Sequence, residues 1–190
     1  MTHGFTSIGR FLRGFRRGED GGPTIEFCIM FIPFMILTIS AFELGLLTTR
    51  HVMLERGLDM AIREVRLNTG SIIDEDDLKV MVCNAAGLIP VCTDRLRLEM
   101  VTVDLRTTNG VGAGKVDPVP ECIDSSDPFA RDIEFNNGLP NQMMFVRACA
   151  RAAPMFPDYG LGWFLSRMAD DDSDRYYRLV ATSAFVMEPL

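Results

Sequence analysis

Glu19-Asp20-Gly21-Gly22-Pro23-Thr24-Ile25-Glu26-Phe27-Cys28-Ile29-Met30-Phe31-Ile32-Pro33-Phe34-Met35-Ile36-Leu37-Thr38-Ile39-Ser40-Ala41-Phe42-Glu43-Leu44-Gly45-Leu46-Leu47-Thr48-Thr49 is a polar, glycine-rich hinge that runs into an apolar stretch. From Phe27 to Phe42 it carries no charge; Glu26 stands just before that interval and Glu43 just after it. A helix needs roughly 20 mostly apolar residues to cross the hydrocarbon core of a bilayer. Ile25 to Thr49 reaches that length with Glu43 near the far interface, so the stretch reads as a single transmembrane helix. Pro33 lies inside it and is expected to kink it, because proline lacks an N–H and its ring crowds the carbonyl one turn back.

The flanks set the orientation. Arg10, Arg13, Arg16 and Arg17 precede the apolar run, and the positive-inside rule places them in the cytoplasm. The chain from about Arg50 to Leu190 is then expected outside the cytoplasm, in the periplasm of a cell with two membranes. Residues 1–21 form a basic leader in which Ile8, Phe11, Leu12 and Phe15 can make a short amphipathic turn at the membrane surface. A secretory signal peptide is the rival account of Met1 to about Phe42. No clear A-x-A site follows, and the apolar pattern carries on past Glu43. Glu26 has two readings. An ionisable group at the edge of a span usually has a partner, whereas a carboxylate in a first helical turn is also favoured by the helix dipole alone.

Gly21-Gly22-Pro23-Thr24-Ile25-Glu26-Phe27 resembles a type IV prepilin processing site. The resemblance implies that a prepilin peptidase cuts between Gly21 and Gly22, leaving Glu26 as the fifth residue of the mature chain. The Glu26-Phe27 pair is similar to the Flp/Tad branch, where tyrosine often follows the glutamate. Asp20-Gly21-Gly22, Glu43-Leu44-Gly45 and the tail Ala184-Phe185-Val186-Met187-Glu188-Pro189 look like the TadE-like pseudopilins. The likeness is densest over Arg16 to Gly70. It implies a non-catalytic minor pseudopilin taking part in pilus assembly. Its partners would be the prepilin peptidase, other pilins and pseudopilins, and the lipid bilayer. Its place would be the bacterial inner membrane or the pilus. The alternative of a different class is a single-pass, membrane-anchored periplasmic interaction domain that is never processed.

Past the membrane the helical pattern becomes amphipathic. Leu54, Leu58, Ala61, Ile62 and Val65 form one stripe, with Arg56, Asp59, Arg63 and Arg66 outside it. One helix is therefore expected over 24–68, with Gly70 as a C-cap, its first half in lipid and its second half packed on a domain. At 1.5 Å per residue it would be roughly 65–70 Å long. Asp74-Glu75-Asp76-Asp77 reads as the N-terminus of a second, short helix that runs to about Ala86 and stops at Gly87. Arg95 to Arg106 is the clearest strand. Leu96, Leu98 and Met100 alternate on one parity and Val101, Val103 and Leu105 on the other, which points to a β-bulge at Met100 or Val101. Residues 107–128 read as a long loop rich in Gly, Pro and Asp. Met143–Ala153 and Tyr176–Met187 read as two more strands. Tyr159–Met168 reads as a short helix with Trp163 and Phe164 on its buried side. The fold class is α+β: a long N-terminal helix packed on a small antiparallel sheet, pilin-like in shape. It divides as a leader (1–21), a transmembrane and spine helix (22–70) and a periplasmic domain (71–190).

Of 190 residues, five are cysteines. Cys28 lies in the span. Cys83, Cys92, Cys122 and Cys149 lie in the domain, an even number that fits two disulfides in an oxidising compartment. Three pairings are open; Cys83–Cys92 with Cys122–Cys149 is favoured because each closes the shorter available loop, and free core thiols are the other outcome. A zinc site is disfavoured, since the spacing is not C-x-x-C and His3 and His51 are placed outside the domain. The net charge of −7 disfavours nucleic-acid binding, which needs basic patches. Asp170-Asp171-Asp172-Ser173-Asp174 imitates the start of a calcium loop, yet Arg175 stands where glycine is required and Ala181 where the bidentate glutamate belongs. With no histidine placed in the domain, Ser-His and Cys-His pairs cannot be built there. No enzyme and no cofactor is expected.

Overall fold

The computed structural model describes residues 21–67, 73–103, 120, 122, 135–168 and 175–188. The leader before Gly21, Gly70, most of the 107–128 loop, Asp170–Asp174 and Pro189 lie outside the described residues. Helix α1 spans Gly22–Leu67, 46 residues, and stays helical through Pro33. Its first half, up to Thr38, is exposed throughout. It is the one described helix long and apolar enough to cross a membrane. The second half carries the stripe expected from the sequence: Leu54, Leu58, Ala61, Ile62 and Val65 are all buried.

Helix α2 (Glu75–Ala86) starts where the Asp74 side chain accepts from the N–H of Glu75, 2.9 Å away, and places Glu75, Asp76 and Asp77 in its first turn. It ends at Gly87, whose φ of +57° is cheap only for a residue without Cβ. It packs along α1 at Gly57. A Cβ there would lie 2.7 Å from the carbonyl oxygen of Val82 and 3.1 Å from the nitrogen of Ala86, so the two backbones approach as closely as a glycine allows. A single-turn helix α3 (Cys92–Arg95) leads into the sheet.

Strands β1 (Leu96–Thr102), β2 (Met143–Ala152) and β3 (Tyr177–Val186) form an antiparallel sheet in the order β1-β2-β3. The expected bulge is absent. β1 pairs one-to-one with β2 from Leu96↔Ala150 to Thr102↔Met144. Met100 and Val101 are both buried because they point to opposite faces of a sheet whose central strand is covered on both sides. One face carries Leu96, Leu98, Met100, Met144, Val146, Leu179 and Ala181 toward the helices. Ala148, Ala150 and Ala152 on the central strand are fully buried. On the other face Glu99 and Arg147, directly opposite in register, form a largely buried ion pair with Nε 2.7 Å from Oε2. Cys149 on that face is bonded to Cys122, and Cys83 is bonded to Cys92. Both disulfides are the pairing favoured from loop length.

Helix α4 (Gly160–Met168) follows β2 and packs on α1. Here the sequence-based expectation fails: Trp163 is 39% and Phe164 59% exposed. The buried side belongs to Gly162, with Leu161 and Leu165 half-buried. A Cβ on Gly162 would collide with the carbonyl of Phe156, so the smallest residue faces the protein and the aromatics face away.

Candidate functional site

Two sites on α1 carry chemistry. The first is its N-terminus. Gly21 precedes the helix and its carbonyl accepts from the N–H of Ile25 at 3.1 Å, so it closes the first turn. Gly22 is the first helical residue, and Pro23 occupies the first turn, where a missing N–H costs nothing. Glu26 and Phe27 follow in the next turn, both exposed, and the Phe27 ring stacks on Phe31 at 5.1 Å. The motif residues Gly21, Gly22, Glu26 and Phe27 are thus together at one end of an exposed apolar rod. Among the described residues none bonds to Glu26.

The second site, missed by sequence reasoning, is where α1 meets the domain. The apolar stripe that begins at Leu54 is continued toward the N-terminus, at the same helical spacing, by Arg50, Leu47, Glu43 and Ser40. These are contact positions filled mostly by polar side chains. Glu43 is 1% exposed. Its carboxylate accepts from the N–H of Met155 through both oxygens, each at 3.0 Å, and from the N–H of Phe156 at 3.2 Å. The 154–157 segment has proline at both ends, so these are its two interior donors, and one carboxylate satisfies both. Ser40 Oγ donates to the carbonyl of Ile36 at 2.8 Å and accepts from the N–H of Leu161 at 3.1 Å. Gly160, at φ +56°, makes that approach possible, since a Cβ there would lie 2.5 Å from Ser40 Oγ.

Two turns beyond Glu43, Arg50 Nη1 donates to the carbonyl of Ala153 at 2.8 Å and to the Tyr177 hydroxyl at 2.9 Å. His51 corrects the sequence-based placement of the histidines. It lies on α1, but its Nε2 is 3.0 Å from the carbonyl of Val180 on β3, which makes it part of the domain. A carbonyl only accepts, so this geometry requires the proton on Nε2. Ser40, Glu43, Arg50 and His51 therefore latch the upper half of the apolar helix to the sheet and to α4 through side-chain hydrogen bonds. For Ser40, Glu43 and Arg50 the signal in the sequence is position, because each falls on the buried stripe extended backward. Comparison with protein-family models, with curated proteins and with solved structures finds no match to this chain.

Proposed function

We propose that the chain is a TadE-like minor pseudopilin that takes part in assembling a Flp/Tad-type pilus. The observation that carries this reading is Gly21-Gly22-Pro23-Thr24-Ile25-Glu26-Phe27 standing at the first turn of a long apolar helix that goes on to pack as the spine of a small sheet domain. A prepilin peptidase must reach the bond between Gly21 and Gly22. Two adjacent glycines keep it unobstructed, with nothing within 4 Å of where either Cβ would stand. The exposed half of α1 has the form of a helix that exchanges lipid for neighbouring pilin helices during assembly, and Glu26 on that half is placed to set their register. The N-terminus is then cytoplasmic and the sheet domain periplasmic. The protein binds and positions; it does no chemistry of its own.

A second reading, an unprocessed single-pass anchor for a periplasmic interaction domain, is favoured by Pro23 just after the cut and by acidic Glu19-Asp20 just before it. Intact mass of the protein from membranes of cells with and without a prepilin peptidase separates the two. The pseudopilin reading expects a chain beginning at Gly22 only when the peptidase is present. A chain still beginning near Met1 in its presence overturns it.

A further inference from the structure

Surface positions are ordinarily polar, yet α4 and the turn before it leave Met155, Tyr159, Trp163 and Phe164 at 65%, 66%, 39% and 59% exposure. Their depth along α1 says what covers them. Counting roughly 20 residues from Ile25 puts the far hydrocarbon boundary near Leu44. The N-terminus of α4 is bonded to Ser40 and lies against the carbonyl of Ile36. Ser40 is four residues, about 6 Å, inside that boundary. Helix α4 therefore cannot stand in bulk water while α1 stands in lipid.

We propose that α4 is a second membrane-contacting element, lying in the boundary layer where α1 leaves the bilayer, with its Trp163 and Phe164, and Met155 and Tyr159 of the preceding turn, against phospholipid. The proposal rests on α1 crossing a membrane. Three features select lipid as the occupant. The exposed residues include tryptophan and tyrosine, whose half-polar rings are enriched at membrane–water interfaces. Arg167 places its guanidinium carbon 4.5 Å over the Trp163 ring, so a positive charge accompanies the aromatic edge, as suits a surface facing anionic headgroups. Finally, Leu37, Ala41 and Leu44 of α1 line one crevice together with Leu161 and Phe164 of α4, with Ser40 its one polar residue, so a surface that is lipid-facing on α1 continues onto α4 as a mostly apolar one. Behind this edge α4 and the 155–156 turn screen the Glu43 carboxylate and Ser40 from acyl chains. That screen lets polar latches sit at bilayer depth, where an unpaired charge is expensive.

Trp163 is the sole tryptophan of the chain, so its fluorescence reports on α4 alone. The full chain is reconstituted into phosphatidylethanolamine–phosphatidylglycerol vesicles, with or without phospholipid brominated near the headgroup end of its acyl chains. Flotation in a density gradient reads insertion of α1. Floating protein should show blue-shifted emission, lose most of it to the bromolipid and resist aqueous iodide. Floating protein quenched by iodide and not by bromolipid places α4 in water and overturns the proposal. Floating protein quenched by neither has a second copy over the edge and also overturns it. Protein that fails to float refutes the crossing of α1, and the proposal with it. The doubly substituted chain Trp163→Phe, Leu88→Trp moves the reporter to an exposed position between α2 and α3. It should respond to iodide and not to bromolipid; equal bromolipid quenching there would mean that no particular edge faces lipid.

Discussion

Glu43 shows how a residue that looks like a boundary marker becomes a structural one. A buried carboxylate normally needs a cation, but here two backbone N–H groups supply the positive ends of their dipoles instead. Glu43→Leu removes the acceptor and orphans both donors, at about 1–3 kcal/mol for each buried group left unpaired. The expected outcome is faster hydrogen exchange at the amides of Met155 and Phe156 and a lower urea midpoint for the domain in detergent micelles. Glu43→Gln keeps one acceptor oxygen and should fall between the leucine variant and wild type. Unchanged exchange in the leucine variant would mean that the turn is held by α4 packing instead.

Gly57 and Gly160 set how closely whole elements approach. Alanine at Gly57 gains roughly 1 kcal/mol of helix propensity, but its Cβ meets the Val82 carbonyl at 2.7 Å. Because the obstacle is backbone, α2 must shift, and overpacking typically costs about 1–3 kcal/mol. The collision wins or at best breaks even, so Gly57→Ala should be neutral to destabilising. Gly57→Val adds bulk and loses the propensity gain, and should lower the thermal midpoint clearly. Gly160 has a positive φ as well as a near neighbour, so Gly160→Ala should release α4 from Ser40 and make the segment around residues 155–168 sensitive to protease. The disulfides tie elements differently: Cys83–Cys92 joins α2 to the turn before β1, and Cys122–Cys149 pins a loop to the polar face of β2. Their sequence separations of 9 and 27 residues give loop-entropy contributions of about 2.6 and about 3.5 kcal/mol. The Cys122→Ser, Cys149→Ser protein should therefore lose more stability than the Cys83→Ser, Cys92→Ser protein in matched denaturant melts.

For the molecule as a whole the open question is what surrounds the exposed half of α1. Lipid tails satisfy its apolar side chains as well as another helix would, so apolar contact alone fixes no register. A charge pair does. On the proposed pseudopilin reading, cleavage makes the amino group of Gly22 a cation one turn from Glu26, and in a neighbour shifted along the axis it would meet the Glu26 of the next subunit. Each charge left unpaired in a low-dielectric setting is costly. Glu26→Leu should therefore leave membrane insertion intact, and even ease it, while reducing recovery in cross-linked complexes with other pilins. Wild-type yields of those complexes would reduce Glu26 to a helix-dipole residue.

The sequence by itself determined the long helix, its apolar and amphipathic halves, the capped α2 and the three strands. These rest on period and end signals: Leu54, Leu58, Ala61, Ile62 and Val65 recur at helical spacing, and Asp74 and Gly87 bracket α2. Loop length favoured the disulfide pairing found, over two other pairings and free thiols. Only the tertiary structure decided which polar residues are interior. Glu43, Ser40 and Arg50 sit on the buried stripe, with His51 at its margin, but have no apolar signature, and their partners are backbone groups more than 100 residues away. It also decided the regular β1. A change of parity in one strand predicts a bulge only if one face is buried, whereas here both are. Likewise it turned Trp163 and Phe164 outward. Hydrophobicity says that these rings leave water, but not whether protein or membrane receives them, and Gly162 gives α4 its protein-facing side because only a residue without Cβ fits against Phe156.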